Sequence, residues 1–147
     1  SFKNLDFSSL RLEIKDKDDF TVINDSYNAN PLSMKAAIDV LKEISKKRSI
    51  AVLGDMLELG PKKEEAHYEI GKYITEKNID ILITVGELAE IIANAAEDNM
   101  KKEKIYRVKN NEEAYNIIKN ITKKEDCILV KGSRKMKMEE IVDWILN

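Results

Sequence analysis

The feature that most constrains this chain is an alternation: a short apolar run, then a segment whose apolar residues recur every three or four positions, repeated along almost the whole length. Strand-like runs alternating with helix-like segments specify a parallel sheet covered by helices, because parallel neighbours need a crossover that a helix supplies. The strand segments are 20–25 (FTVIND), 49–55 (SIAVLGD), 80–86 (DILITVG), 104–109 (KIYRVK) and 127–132 (CILVKG). After the first, Met34, Ala37, Ile38, Leu41 and Ile44 fall on one helical face; Leu88, Ile91, Ile92, Ala95 and Ala96 do so after the third. Ala114, Ile117, Ile118 and Ile121 repeat the pattern, as do Met138, Ile141, Val142 and Ile145 at the end. The second helix is the weakest, with Ala66, Ile70, Tyr73 and Ile74. Ahead of these units, 10–14 (LRLEI) alternates and is joined to the next strand by the charged stretch KDKDD, which predicts an antiparallel hairpin at the sheet edge.

The fold class is therefore α/β, mostly parallel with an antiparallel edge strand. The length of 147 residues suits one domain and one continuous core. A net charge of -2 gives no basic footprint for nucleic acid or an anionic membrane surface. No uncharged apolar stretch approaches the roughly 20 residues of a membrane span, and no signal peptide precedes the first strand, so the expected location is cytoplasmic. The single cysteine, Cys127, lies in the apolar run CILV with neither a disulfide partner nor a zinc-ligand cluster, and reads as a buried, inert thiol. The opening SFKNLDFSSL lacks an initiator Met and a strong element, which suggests a piece of a longer chain.

In open α/β sheets ligands bind outside the carboxyl ends of the strands. Asp25, Tyr27, Asn28 and Asn30 follow the first strand; Gly54, Asp55 and Met56 the second; Gly86 and Glu87 the third; Lys131, Gly132, Ser133 and Arg134 the fifth. Asn30-Pro31 is a good helix start, since Asn caps free amides and Pro at the first position has none to satisfy. That leaves Asp25, Tyr27 and Asn28, a carboxylate, a phenol and an amide that suit the hydroxyls and flat ring of a nucleoside; ligand contact and a plain turn both remain open. A phosphate loop is excluded: no Gly-x-x-x-x-Gly-Lys-Ser/Thr exists, Gly71-Lys72 is followed by Tyr73 with Ala66 in place of the first glycine, and no Gly-x-Gly-x-x-Gly occurs. His67, the only histidine, has no acid or thiol at metal spacing and reads as packed or solvated. Trp144 reads as core.

YNANP, LGDMLELG, HYEIGKYI and VKGSR together, in that order and spacing, resemble the C-terminal domain of the ATP-dependent Mur ligases of bacterial cell-wall synthesis. The resemblance is to the branch that joins D-Ala-D-Ala to UDP-N-acetylmuramoyl-tripeptide (UDP-MurNAc-tripeptide), and it covers residues 10 to 147. The resemblance implies a three-layer Rossmann-like domain with helices on both faces. Residues 1–15 would be the end of a hinge and edge strand leading from a central ATPase domain, and 16–147 the C-terminal domain proper. It implies that ATP phosphorylates the tripeptide carboxylate, that the amine of D-Ala-D-Ala attacks the acyl phosphate, and that Mg2+ neutralises phosphate charge. ATP and Mg2+ would be held mainly by the central domain, with the N-terminal domain binding the UDP sugar, in a monomer that contacts neither nucleic acid nor membrane. Carried over by residue, Arg11, Asp25, Tyr27, Asn28 and Asn30 would face the nucleotide. Gly54, Asp55, Met56, Lys131, Gly132, Ser133 and Arg134 would face the dipeptide and acyl phosphate. No catalytic residue and no metal ligand is implied in this segment, so the segment alone would be inactive. Asn24 stands where many family members carry a first acid.

Two other fold readings share parts of this pattern. A phosphoacceptor receiver domain shares the alternation and a Lys at Lys131's position, but needs an Asp where the 80–86 strand ends in Thr84, Val85 and Gly86. A stand-alone nucleotide-binding module lacks a complete phosphate site.

Overall fold

The computed structural model describes residues 12–147. Six strands form one sheet: β1 (Glu13–Lys17), β2 (Phe20–Asn24), β3 (Ser49–Gly54), β4 (Ile81–Val85), β5 (Ile105–Val108) and β6 (Cys127–Lys131), in the spatial order β1-β2-β6-β3-β4-β5. Only the β1–β2 pair is antiparallel. The helices are α1 (Pro31–Ile44), α2 (Lys63–Glu76), α3 (Ala89–Ala96), α4 (Asn111–Ile121) and α5 (Glu139–Leu146).

Connection direction decides which face each helix covers. From β2 through β5 the chain steps across the sheet one way, and right-handed crossovers place α1, α2 and α3 on one face. The return from β5 to the central β6 runs the opposite way, so the same handedness puts α4 on the other face, where α5 joins it. Alternate strand residues serve the two layers. Ile23, Ala51, Leu53, Leu82 and Leu129 pack under α1 to α3, whereas Val22, Ile50, Val52, Ile83 and Val130 pack under α4 and α5. β3, β4 and β6 are buried on both faces, hence their unbroken apolar sequences.

Each strand predicted after the hairpin is present, trimmed by a residue or two at its ends. The edge strand differs. It was expected at 10–14 and runs Glu13–Lys17 (residues 10 and 11 lie outside those described), so part of the supposed turn is strand. Lys17 pairs with Phe20 across the two-residue turn Asp18-Asp19, with Asp18 in the left-handed region at φ 54. An edge strand needs only one inward residue, here Ile14 against the α1 side of the core, and its remaining charges deter further pairing.

The α3 face also shifts. Ala89, Ile92, Ala93, Ala95 and Ala96 are buried while the predicted Leu88 and Ile91 are half-buried. Small residues are required because α3 lies directly on α2 at Gly71, where a Cβ would sit 2.2 Å from the Ile92 carbonyl oxygen. Trp144 sits at the margin of the α4–α5 layer, half-buried, its ring 5.7 Å from that of Tyr115.

At the amino ends of the strands, Arg48 donates from Nε and Nη2 to the two carboxylate oxygens of buried Asp126, at 3.0 and 2.7 Å. Nearby Cys127 is 3% exposed, and burial pushes its thiol up to about 12 from 9.0. A thiol raised in the folded state contributes stability below its unfolded value and loses it as pH rises through the folded one. Alkaline unfolding of the wild type should therefore gain a component between about pH 9 and 12 that Cys127→Ala lacks. Equal pH slopes for the two proteins over that range would refute it. Among the described residues no helix is long and apolar enough to cross a membrane.

Candidate functional site

β6 is flanked by two strands whose connections leave on the opposite face: β2 and β3 feed α1 and α2, β6 feeds α5. Connections that part in this way open a crevice at the carboxyl ends of the strands. A cavity of about 590 Å³ occupies it, lined by Tyr27 and Asn28 after β2, Leu57 and Glu58 after β3, and Ser133, Arg134, Lys135, Lys137 and Glu139 after β6. A smaller cavity of about 250 Å³ adjoins it, adding Glu13, Asn24 and Ser26 and sharing Tyr27, Arg134 and Glu139.

The β2–α1 segment is built in two tiers. Asn30 caps α1 by accepting the Ser33 amide at 2.9 Å, and Ser33 Oγ accepts the Asn30 amide at 3.1 Å, a closed capping box with Pro31 at the first helical position. Beneath it, Asp25 is 4% exposed and its carboxylate accepts from Lys131 Nζ at 2.8 Å. Lys131, 1% exposed, also donates to the Asn28 carbonyl oxygen at 2.7 Å. Burial raises the Asp25 carboxyl above 3.8, against the hydrogen bond and attraction of Lys131, which lower it. The tier above faces solvent: Tyr27 is 50% exposed, and the Arg134 guanidinium lies 5.3 Å from its ring centroid.

The loop after β3 is pinned by its neighbours. Ser133 Oγ accepts the Leu57 amide at 2.7 Å and the Ser133 amide donates to the Asp55 carbonyl at 2.9 Å. The Asp55 carboxylate accepts the Ala89 amide at 2.7 Å, at the start of α3. Desolvation raises its carboxyl above the ordinary value despite that bond. Met56 is fully buried, and its amide donates to His67 Nε2 at 2.9 Å. The ring proton then sits on Nδ1, which donates to the Lys63 carbonyl at 2.6 Å. Gly54 and Gly132 are both closed over by Met138, whose sulfur lies 2.3 and 2.2 Å from where a Cβ would stand.

The predicted site residues thus separate by depth. Tyr27, Asn28, Ser133 and Arg134 line the main cavity together, whereas Asp25, Asn30, Gly54, Asp55, Met56, Lys131 and Gly132 form the frame behind it; Arg11 lies outside the described residues. Asp25 and Lys131, expected to face the nucleotide and the dipeptide respectively, are partners. His67, expected to be packed or solvated, is packed and holds the Met56 amide. The sequence reading passed over Leu57, Glu58, Lys135, Lys137 and Glu139 in the main cavity. Lys137 adopts a left-handed conformation at φ 53, ending a turn over Arg134–Met136 that no local sequence signal marks. His67→Phe leaves the buried Met56 amide unpaired and should cost about 1–3 kcal/mol of stability, read by chemical denaturation; an unchanged midpoint would show that the bond is dispensable.

Residues 10–134 match the family described as "Mur ligase, glutamate ligase domain". The chain belongs to the Mur ligase family. It is 40% identical over 145 residues to the UDP-N-acetylmuramoyl-tripeptide–D-alanyl-D-alanine ligase of Bacillus subtilis, covering 97% of this chain and 32% of that protein. With the Escherichia coli ligase of the same name the identity is 37%, over 82% of this chain and 26% of that one. Among solved structures, MurF from Acinetobacter baumannii superposes with a TM-score of 0.81 at 30% identity, over 93% of this chain and 30% of that one. MurF ligase from Thermotoga maritima, in complex with ADP, gives 0.76 at 26%, over 90% of this chain and 29% of that one. The chain therefore spans about a third of the length of these relatives. The three-layer Mur ligase domain, mostly parallel with its antiparallel edge, is the fold that the sequence predicts. Among the described residues no group of three or more His, Cys, Asp or Glu is placed to hold a metal.

Proposed function

We propose that this chain is the C-terminal domain of an ATP-dependent ligase that adds D-Ala-D-Ala to UDP-MurNAc-tripeptide through an acyl phosphate in peptidoglycan precursor synthesis. The observation that carries the proposal is the 40% identity, running through 97% of the chain, to a ligase of that name. The cavity at the carboxyl ends of β2, β3 and β6 is the surface this domain contributes. Tyr27 offers a half-exposed ring and Asn28 an amide to the adenosine side. Ser133, whose Oγ accepts one amide and keeps its own proton to donate, stands with Arg134, Lys135 and Lys137 toward anionic groups, the acyl phosphate and the dipeptide carboxylate. In this reading the polyphosphate and Mg2+ fall to a central domain of the same protein, as the family resemblance implies, and this sequence itself carries no phosphate loop. Closing this domain over that site would exclude water from the acyl phosphate and orient the amine.

The complete protein should release phosphate from ATP only when UDP-MurNAc-tripeptide and D-Ala-D-Ala are both supplied. Arg134→Ala should lower kcat/KM by one to two orders of magnitude, the size of a lost charged hydrogen bond of about 1.5–3 kcal/mol. Phosphate release indifferent to D-Ala-D-Ala would overturn the substrate assignment, and unchanged kinetics in Arg134→Ala would remove the cation from the site.

A further inference from the structure

We propose that Asn111 is a positioning residue: its side-chain amide clamps the turn after β6 and so sets the cationic wall of the cavity. The inference rests on the proposed function in taking ligase turnover as one of its readouts. Of the nine residues that line the main cavity, Ser133, Arg134, Lys135, Lys137 and Glu139 lie on the single segment from β6 into α5. That segment turns tightly, the Met136 amide donating to the Ser133 carbonyl at 2.8 Å and the Lys137 amide to the Arg134 carbonyl at 3.1 Å. It ends with Lys137 in the left-handed region at φ 53, which disfavours a residue with a Cβ and persists only where the surroundings enforce it. Asn111 supplies the enforcement. From the first residue of α4 its Nδ2 donates to the Met136 carbonyl at 2.9 Å, the Lys137 carbonyl at 3.2 Å and Glu140 Oε1 at 3.0 Å. All three neighbours are acceptors, so the amide faces them through its NH2 and commits both protons to the turn and the start of α5. The Lys137 carbonyl also takes the Glu140 amide at 3.0 Å, so the clamp closes on the point where turn and helix meet. Asn111 lines neither the main cavity nor the one adjoining it, and therefore acts on the site through the backbone of the turn.

A group that acts through another is exposed by non-additivity. Asn111→Asp is nearly isosteric and keeps a favourable charge in the first turn of α4, but it sets acceptors against acceptors at the turn. The complete protein is made with and without Asn111→Asp, each with and without Arg134→Ala, and turnover of ATP, UDP-MurNAc-tripeptide and D-Ala-D-Ala is followed by phosphate release. Asn111→Asp should lower kcat/KM about tenfold or more, since small misplacements of a site wall carry costs of that order. Arg134→Ala should then cost at most about threefold in that background, well below its effect in the wild type. Fully additive losses would mean that Asn111 acts independently of the cationic turn, and wild-type kcat/KM in Asn111→Asp would mean that it serves the fold alone; either overturns the proposal. Glu140→Ala removes only the exposed acceptor, keeps both carbonyl bonds and should leave turnover unchanged; a loss as large as that of Asn111→Asp would move the effect from the backbone clamp to the Glu140 contact and overturn it too. Amide hydrogen exchange in the unliganded protein supplies an arm that needs no substrate. Exchange across residues 134–138 should speed up about tenfold or more in Asn111→Asp while β3 and β4 stay protected, and unchanged exchange there would equally sink the inference. Failure of the wild type to turn over these substrates would count against the proposed function and leave this last arm decisive.

Discussion

Lys131→Met alone should destabilise the protein by about 3–5 kcal/mol at neutral pH, because it leaves the Asp25 carboxylate buried without its counter-charge. For a protein of this size the midpoint of thermal unfolding should fall by roughly 10 °C. The pH dependence has a definite sign. Burial already raises the Asp25 carboxyl above 3.8, and Lys131 supplies both causes that lower it, so its removal raises the carboxyl further. A raised carboxyl pKa favours the folded state at low pH and penalises it above. The gap between variant and wild type should therefore be widest near neutrality and narrow as acid protonates Asp25 and removes the buried charge. A gap that stays constant from pH 7 down to 4 would show that the loss is one of packing alone. The apolar double variant Asp25→Leu/Lys131→Met separates the two costs, since exchanging both partners is often neutral where breaking the pair is not.

Gly71→Val is the second large effect. Gly71 is the point of closest approach of α2 and α3: a Cβ there would lie 2.2 Å from the Ile92 carbonyl oxygen and 2.6 Å from the Ala95 Cβ. Neither neighbour is the end of a flexible side chain, so a helix must move. Overpacking of this kind costs about 1–3 kcal/mol, and a β-branched residue against backbone belongs at the upper end. Part of the movement should reach the site, because α3 begins at Ala89, whose amide the Asp55 carboxylate accepts, and α2 carries His67, which holds the Met56 amide. Denaturation and the amide exchange of residues 55–57 would both report it. A stable variant with unchanged exchange at those amides would show that the helices part without disturbing the loop.

How much of this was legible beforehand depended on the range of the interactions involved. The Asn30-Pro31 helix start was readable because capping joins residues three positions apart. The central strands β3, β4 and β6 were readable because burial on both faces demands unbroken apolar runs. The edge strand runs three residues past its predicted end, to Lys17, because a charged, half-solvated strand carries only Ile14 as a signal. At the site, the sequence gathered loops that meet around the cavity but could not rank residues within them. Lys131 and Asp25 are 106 positions apart, and nothing local distinguishes a lysine that reaches inward from one such as Lys135 or Lys137 that lines the cavity.

The sequence by itself determined the α/β class, the five parallel strands, the absence of a phosphate loop and the family, since each follows from periodicity or from the chemistry of contiguous residues. The tertiary structure alone decided which polar residues face the cavity and which hold it up. Bringing β6 between β2 and β3 sets side chains from opposite ends of the chain within hydrogen-bond distance, and only there does burial make Asp25 and Lys131 a frame and leave Tyr27 and Arg134 as surface.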